Sequence, residues 1–269
     1  MLKTRIITAL VLLPIVLAAL FFLSGSGWAI FALAVCVIGS WEWTRLSGWQ
    51  GGKQWAYVGL TALFGLALIA TDVPHPVRVT LSLLSLGFWP VVAPLWLHRK
   101  WRLSGHAFAP LIGWLLLLGS WQAMVLWHER ENGPWILLAI LAVAWVADTA
   151  AYFAGRAFGK HKLAPSISPG KSWEGVVGAY IGITAYGFLL LRSPLGPQFG
   201  GMWIFPALWV LTGLSVVGDL LESLFKRQIG IKDSSNLLPG HGGILDRIDS
   251  QLAVLPVSAA LLTLAQLAQ

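Results

Sequence analysis

The sequence predicts an all-α protein, a bundle of about nine transmembrane helices with a cytoplasmic N-terminus. Hydrophobic residues make up 57% of the 269-residue chain, and charged residues only 11%. Soluble domains usually contain about 25% charged residues, so this chain has too little polar surface to cover a water-soluble globule. Long apolar segments also alternate with short polar ones, as expected for a multi-pass membrane protein.

The apolar segments are the candidate spans, since a spanning helix needs roughly 20 mostly apolar residues. They are 6–23, 27–43, 55–71, 78–97, 107–127, 134–154, 174–191, 203–221 and 251–268. The first begins like a signal peptide, but its apolar run exceeds the roughly 7–15 residues of such peptides, so we expect a retained span. Helices are expected throughout because open strands would leave backbone groups unpaired in lipid.

The distribution of Lys and Arg predicts the orientation. With the N-terminus inside, only Arg78, Arg130 and Arg192 of the 18 basic residues lie outside. This bias follows the positive-inside rule. It places the loops 44–54, 98–106, 155–173 and 222–250 in the cytoplasm. The net charge of +7 is therefore a feature of topology, and nucleic acid is not an expected partner.

The chain is expected to have two parts. Residues 1–130 contain the first five spans, and residues 131–269 contain the other four with the polar loops 155–173 and 222–250. These two loops are rich in Gly, Ser, Lys and Asp, so we expect the chemistry there. The single cysteine, Cys36, lies in an apolar run and is expected to be buried.

Asp148 lies inside the sixth apolar segment. A charged side chain at membrane depth costs about 2.5–3.5 kcal/mol on insertion scales and usually faces a water-filled cavity or a partner. We therefore interpret Asp148 as a site residue. The alternative is a structural hydrogen bond between helices.

The segment Ser168-Pro169-Gly170-Lys171-Ser172-Trp173-Glu174-Gly175 opens the seventh span. Ser172 is a candidate N-cap, and free amides at a helix start beside Lys171 would bind an anion such as phosphate. A P-loop is rejected because Pro165 stands where that motif requires glycine. The alternative interpretation is an ordinary basic cytoplasmic loop.

Asp219, Ser223 and Lys226 share one face of a predicted helix at the start of the second polar loop. Further along, Asp246 and Asp249 could face one site if their segment is helical. Carboxylates can hold Mg²⁺, and interspersed Lys and Arg can bind polyphosphate oxygens. The alternative is a solvated loop with charge pairs.

His241, among three glycines in this loop, is either a phosphate contact or an organiser of the loop. Zinc is not expected, because the sequence has no Cys cluster and no His pair at ligand spacing.

Residues 223–249, SLFKRQIGIKDSSNLLPGHGGILDRID, resemble the signature of phosphatidate cytidylyltransferases, also called CDP-diacylglycerol synthases, without a departure. Asp148 and the segment 168–175 also look like that family, and Trp41-Glu42-Trp43 does so more weakly. About the C-terminal half of the chain is well covered. The first four spans match only in hydropathy.

The resemblance implies a nine-helix membrane enzyme, often a homodimer, that joins CTP to phosphatidic acid and releases pyrophosphate. It implies Mg²⁺, with K⁺ as a possible second cation, and a site facing the cytoplasm of a bacterial inner membrane. The implied metal ligands are Asp219, Asp246, Asp249 and Asp148. The implied catalytic residues are Asp246, Asp219, Lys226, Arg227, Lys171 and Asp249. The implied substrate contacts are Ser168, Gly170, Lys171, Ser172, Ser223, Lys232, Asp233, His241 and Arg247.

Two other functions remain open at this stage. A transporter also contains buried carboxylates and broken helices, but it would place charges near the bilayer midplane, whereas these collect on one side. A different enzyme that uses CTP or a lipid phosphate, such as a polyprenol kinase, fits the charges but not the complete match over residues 223–249.

Overall fold

A computed structural model describes the backbone of residues 2–267 and the side chains of residues 7–265. The helices are α1 Leu2–Phe22, α2 Gly25–Leu46, α3 Gly52–Ala70, α4 His75–Gly87, α5 Ala93–Arg99, α6 Ala109–His128, α7 Gly133–Phe158, α8 Trp173–Arg192, α9 Ile204–Gln228, α10 Leu245–Ile248 and α11 Gln251–Leu267. The strands are β1 Lys162–Ala164 and β2 Ser168–Ser172. A π-helical turn, Phe88–Val92, joins α4 to α5, and 3₁₀ turns at Gly196–Phe199 and Gly201–Trp203 precede α9.

The predicted fold class, a helical membrane bundle, is confirmed. In the part of the chain that the structure describes, seven helical segments are long and apolar enough to cross a membrane: α2, α3, the continuous stretch His75–Arg99, α6, α7, α8 and Gly201–Gln228. The apolar helical stretches Ile7–Phe22 and Gln251–Ala265 are shorter. The count of nine spans and the side of the N-terminus therefore stay predictions.

Helices α7 and α9 extend beyond the predicted spans at the ends that lie near the polar loops. Helix α7 continues to Phe158, and α9 continues to Gln228. Ser223 and Lys226 therefore lie on a regular helix with Asp219, as predicted from their spacing.

Helices α7 and α8 pack closely because small residues line their contact. A Cβ at Gly182 would lie 2.6 Å from the Cβ of Ala150, and one at Gly178 would overlap Ala154. Small residues allow such close backbone approach in membrane helices, where packing replaces the hydrophobic effect as the source of association. This packing holds the end of α7 against the start of α8.

A short antiparallel hairpin of β1 and β2 connects these two helices, and the sequence analysis did not predict it. Its register pairs Lys162 with Ser172 and Ala164 with Ser168. At the end of β2, Ser172 caps α8 by accepting a hydrogen bond from the backbone N–H of Gly175, which confirms the predicted N-cap. Lys171, which directly precedes the N-cap residue, is therefore held at the start of α8.

Helix α11 packs against α4 and α6 from the N-terminal part and against α7 and α9 from the C-terminal part. Trp127 on α6 donates its indole N–H to Ser258 Oγ on α11 at 2.9 Å. Cys36 on α2 is buried, as predicted. Helix α11 thus links α7 and α9, which contribute to the site, to helices of the N-terminal part.

Candidate active site

A cavity of about 420 Å³ lies between the ends of α7, α8 and α9 and the hairpin. Six residues predicted to act at a site line it: Asp148, Ser168, Gly170, Lys171, Ser172 and Asp219. Asp148 lies on α7 and Asp219 on α9, and the other four lie on β2. The cavity therefore brings the first polar loop together with Asp148 on α7 and Asp219 on α9.

The central contact of the cavity is an ion pair between Lys171 and Asp219. The ammonium nitrogen lies 2.6 Å from Asp219 Oδ2, and the side chains are 23% and 26% exposed. Ser223 donates its hydroxyl to the other oxygen, Oδ1, at 3.1 Å. Asp148 and Arg247 lie within electrostatic range of one another near this pair. Because the pair remains partly open, both charges can contact a ligand in the cavity.

Behind this cavity, the buried Lys226 joins two carboxylates. It forms an ion pair with Glu222, one turn earlier on α9. It also donates to Asp246 Oδ1 on α10 at 2.5 Å. Breaking a buried pair of this kind leaves an uncompensated charge, which is strongly destabilising. Lys226 therefore fixes α10 against α9.

Asp246 accepts four hydrogen bonds and organises the loop between α9 and α10. Besides Lys226, the donors are the backbone N–H and hydroxyl of Ser234, at 2.8 and 2.9 Å, and the backbone N–H of Gly243, at 2.7 Å. Burial alone would raise the pKa of Asp246, but these hydrogen bonds outweigh it and hold the pKa below its usual value.

Two of the glycines around His241 are required by this close packing. Gly242 has a φ of +85°, and a Cβ there would lie 2.6 Å from Asp246 Oδ2. A Cβ at Gly243 would overlap Ser234 Oγ and the carboxylate of Glu42. The glycines therefore let the backbone approach two carboxylates, and His241 lies in the tight turn that results.

The second of these carboxylates, Glu42 on α2, is a residue that the sequence analysis did not assign to the site. It is fully buried. Its oxygens accept hydrogen bonds from the hydroxyls of Ser234 and Ser235, at 3.1 and 2.6 Å, and from the backbone N–H groups of Ile244 and Leu245, at 2.9 and 2.7 Å. Glu42 thus anchors the start of α10 to the N-terminal part of the chain.

Glu222 was missed in the same way. The signal was available in both cases, because a carboxylate inside or at the end of an apolar segment is a site candidate by the rule that identified Asp148.

Asp249 follows α10 and lies near the carboxylates of α9. Its Oδ1 accepts from the backbone N–H of Ser250. Burial, with the nearby charges of Asp219 and Glu222, raises the pKa of Asp249 well above its usual value. Acidic groups are therefore crowded where α9 meets the end of α10. Among the described residues, no group of three or more His, Cys, Asp or Glu side chains has the geometry of a complete metal cage.

The other predicted site residues lie outside the lining of the cavity. Arg227 donates to the carbonyl oxygens of Ile167, at 3.4 Å, and Ile231, at 3.1 Å, so it ties the hairpin to the loop after α9. Lys232, Asp233 and Arg247 have exposed side chains. His241 Nδ1 is buried without a hydrogen-bond partner among the described residues. The roles assigned to these residues stay predictions.

Comparison with known proteins decides the family. The sequence matches the Cytidylyltransferase family over residues 3–265, nearly the whole chain. The chain belongs to the cytidylyltransferase family. This confirms the resemblance seen in residues 223–249 and extends it to the first four spans.

Three curated relatives match nearly the whole chain. A phosphatidate cytidylyltransferase of Pseudomonas aeruginosa is 44% identical over 97% of each chain. One of Haemophilus influenzae is 36% identical over 95% of this chain and 96% of the relative. One of Thermotoga maritima is 32% identical over 96% and 94%, respectively.

Proposed function

We propose that this protein transfers the cytidylyl group of CTP to phosphatidic acid, giving CDP-diacylglycerol and pyrophosphate. The observation that carries this proposal is the cavity in which Lys171, Asp219 and Asp148 meet at the ends of three spanning helices. Full-length relatives named phosphatidate cytidylyltransferase support the substrate pair.

The reaction joins two anions, so charge stabilisation and positioning are the main tasks of the protein. A phosphate oxygen of the lipid attacks the α-phosphorus of CTP, and the bond from that phosphorus to the bridging oxygen of pyrophosphate breaks. Lys171 lies at the entrance to α8, where it can neutralise charge on the phosphates. Ser168 and Ser172 line the same cavity. Further positive charge is proposed to come from Arg227, which donates to the carbonyl oxygen of Ile167, from Arg247, which lies within electrostatic range of Asp148, and from the exposed Lys232.

The carboxylates fit Mg²⁺, which uses one or two carboxylates together with substrate phosphates and water and needs no all-protein cage. The crowding of Asp148, Asp219 and Asp249 favours a cation, since a positive ion would relieve the repulsion between them. Asp246 is the fourth predicted ligand, although its two oxygens already accept four hydrogen bonds. When bound, Mg²⁺ would neutralise the phosphates during transfer, and K⁺ is proposed as a second cation.

The proposed setting is the cytoplasmic face of a bacterial inner membrane, with the protein as a homodimer. CTP would enter from the cytoplasm, and the lipid would enter sideways from the bilayer. In this orientation the cavity at the ends of α7, α8 and α9 would face the cytoplasmic side, as the positive-inside rule predicts for the loops beside it.

The nucleotide requirement tests the proposed function directly. Purified protein incubated with labelled CTP, phosphatidic acid and Mg²⁺ should form labelled lipid and pyrophosphate. Labelled ATP should give almost no product, because the family resemblance implies a cytidine nucleotide. Equal turnover of ATP would contradict the proposal and favour the lipid-kinase alternative.

The orientation can be tested by cysteine labelling, because the native Cys36 is buried. Asn236→Cys, in the loop between α9 and α10, should resist a membrane-impermeant maleimide in intact cells and react after permeabilisation. Glu131→Cys, in the predicted outside loop, should react in intact cells. Both positions are exposed, so access to solvent does not differ. Labelling of position 236 from outside would overturn the orientation.

A further inference from the structure

Besides Lys171, the lining of the cavity in the candidate active site contains a second cation, Arg156. Arg156 lies in the last turn of α7 with an exposed side chain, so it stands at the rim of the cavity. Asp148, Tyr152 and Arg156 follow one another at intervals of four residues, and all three line the cavity. This spacing places them on one face of α7. The rise of a helix puts Arg156 about 12 Å from Asp148 along the axis, toward the loop that is predicted to be cytoplasmic.

The backbone beside Arg156 packs against the end of the hairpin. A Cβ at Gly155 would lie 3.1 Å from Ser172 Oγ, and one at Gly159 would lie 2.8 Å from the same oxygen. Ser172 directly follows Lys171, so the last turn of α7 is held against the segment that contains Lys171. Because both cations line one cavity of about 420 Å³, a single phosphate group can lie between them.

Arg156 differs from Lys171 in its partners. Lys171 lies 2.6 Å from Asp219 Oδ2, so its charge is compensated within the protein. Among the residues that the structure describes, Arg156 forms no ion pair, and its Nη1 donates to the hydroxyl oxygen of Tyr152 at 3.3 Å. A guanidinium has five N–H donors, so several remain for a ligand. Arg156 therefore offers the cavity a positive charge and hydrogen-bond donors that suit an anion.

The surface around Arg156 indicates that this anion belongs to a membrane lipid. Aromatic side chains are exposed at the end of α7 and the start of α8, where Phe153 is 63% exposed, Phe158 is 69% exposed and Trp173 is 57% exposed. Exposed rings near the ends of spanning helices are typical of the membrane–water interface, where lipid headgroups lie. A water-soluble nucleotide needs no such surroundings, whereas the phosphate of a lipid is held at this depth.

We propose that Arg156, held by Tyr152, binds the phosphate of phosphatidic acid and makes the site selective for a phosphomonoester lipid. This inference rests on the proposed function and adds a residue that selects the lipid headgroup. A planar guanidinium binds two phosphate oxygens through parallel hydrogen bonds. A phosphomonoester has three terminal oxygens, so the third stays free to attack the α-phosphorus of CTP as pyrophosphate leaves. A phosphodiester lipid has two non-bridging oxygens, and the same contact would occupy both.

Replacing Arg156 tests the proposal. Arg156→Gln should raise KM for dioleoyl phosphatidic acid about 10- to 100-fold, the effect of losing hydrogen bonds to a charged group, and should leave KM for CTP unchanged. Arg156→Lys keeps the charge but not the planar fork, so it should restore only part of the loss. Tyr152→Phe removes the contact that orients the guanidinium and should raise the same KM by a smaller factor. The measurement is the initial rate, with the mole fraction of phosphatidic acid in detergent micelles and the CTP concentration varied in turn.

Arg99→Gln is the matched control. Arg99 is an exposed arginine in the last turn of α5, on the same predicted side of the membrane, and it does not line the cavity. The same loss of charge there should change neither KM. A rise in KM for CTP in Arg156→Gln would mean that Arg156 binds the nucleotide, and full activity of Arg156→Lys would mean that the fork is not used. Either result, or a fall in kcat with both KM values unchanged, would overturn the proposal.

A binding measurement separates this inference from the proposed function. Detergent-solubilised protein, without CTP or Mg²⁺, is mixed with equal amounts of dioleoyl phosphatidic acid and dioleoyl phosphatidylglycerol, and the bound lipids are counted by native mass spectrometry. The wild type and Arg99→Gln should prefer phosphatidic acid, and Arg156→Gln should lose most of this preference. No preference in the wild type, or an equal preference in all three proteins, would contradict the inference. Absence of CTP-dependent lipid formation by the wild type would instead contradict the proposed function.

Discussion

Asp246→Asn should lower the rate of cytidylyl transfer by at least about 10²–10³-fold, the usual cost of losing one preorganised electrostatic contact. The carboxylate accepts hydrogen bonds from Lys226, from Gly243 and twice from Ser234. An asparagine keeps one acceptor oxygen, but its amide nitrogen would face donors. The substitution therefore removes charge beside Lys226 and loosens the loop between α9 and α10. If Asp246 is also a metal ligand, the loss of that ligand would lower the rate of transfer further.

The measurement is CTP-dependent lipid formation, normalised to protein that elutes as a single detergent-solubilised species. The spanning helices should survive, because Asp246 lies on the short helix α10 outside the predicted spans, and Lys226 keeps Glu222 as a partner when the charge of Asp246 is removed. Glu131→Gln makes the same chemical change at an exposed residue and should have almost no effect. Retention of more than about a tenth of normal activity by Asp246→Asn would contradict an electrostatic role.

The parts of the site that depend on local chemistry could be predicted from the sequence. Ser172 as an N-cap follows from the break at Pro169 and Gly170 before an apolar run, and the structure confirms it. The common face of Asp219, Ser223 and Lys226 follows from helical spacing. Lys171 and Asp219 were each assigned to a phosphate or metal site on separate grounds. Their direct contact could not be predicted, because it depends on how α8 packs against α9.

The hairpin and the role of Glu42 could not be predicted for a different reason. Strands β1 and β2 are short and lack alternating hydrophobicity, which is the usual signal for a strand. Glu42 contacts Leu245 across 203 positions of the chain. Such a contact has no local pattern, and it gives the N-terminal part of the chain a role in shaping the loop that contains Asp246.

Glu42→Gln should lower activity by at least about 100-fold without preventing insertion of the helices. Glu42 accepts two hydrogen bonds from hydroxyls and two from the backbone at the start of α10. Glutamine would turn its amide nitrogen toward donors and lose about two of these bonds. Hydrogen bonds to a charged group contribute about 1.5–3 kcal/mol each, so the loop would lose about 3–6 kcal/mol of anchoring.

Glu42 lies behind the loop and acts through Asp246 and its neighbours, so it is a positioning residue. Its replacement should reduce kcat much more than it raises KM for CTP. Tryptic cleavage after the exposed Lys232 should also become faster, because the loop is released from α2. Glu131→Gln is the control and should change neither quantity. If Glu42→Gln loses activity while cleavage after Lys232 stays at the wild-type rate, the loss does not arise from the loop, and the anchoring role is wrong.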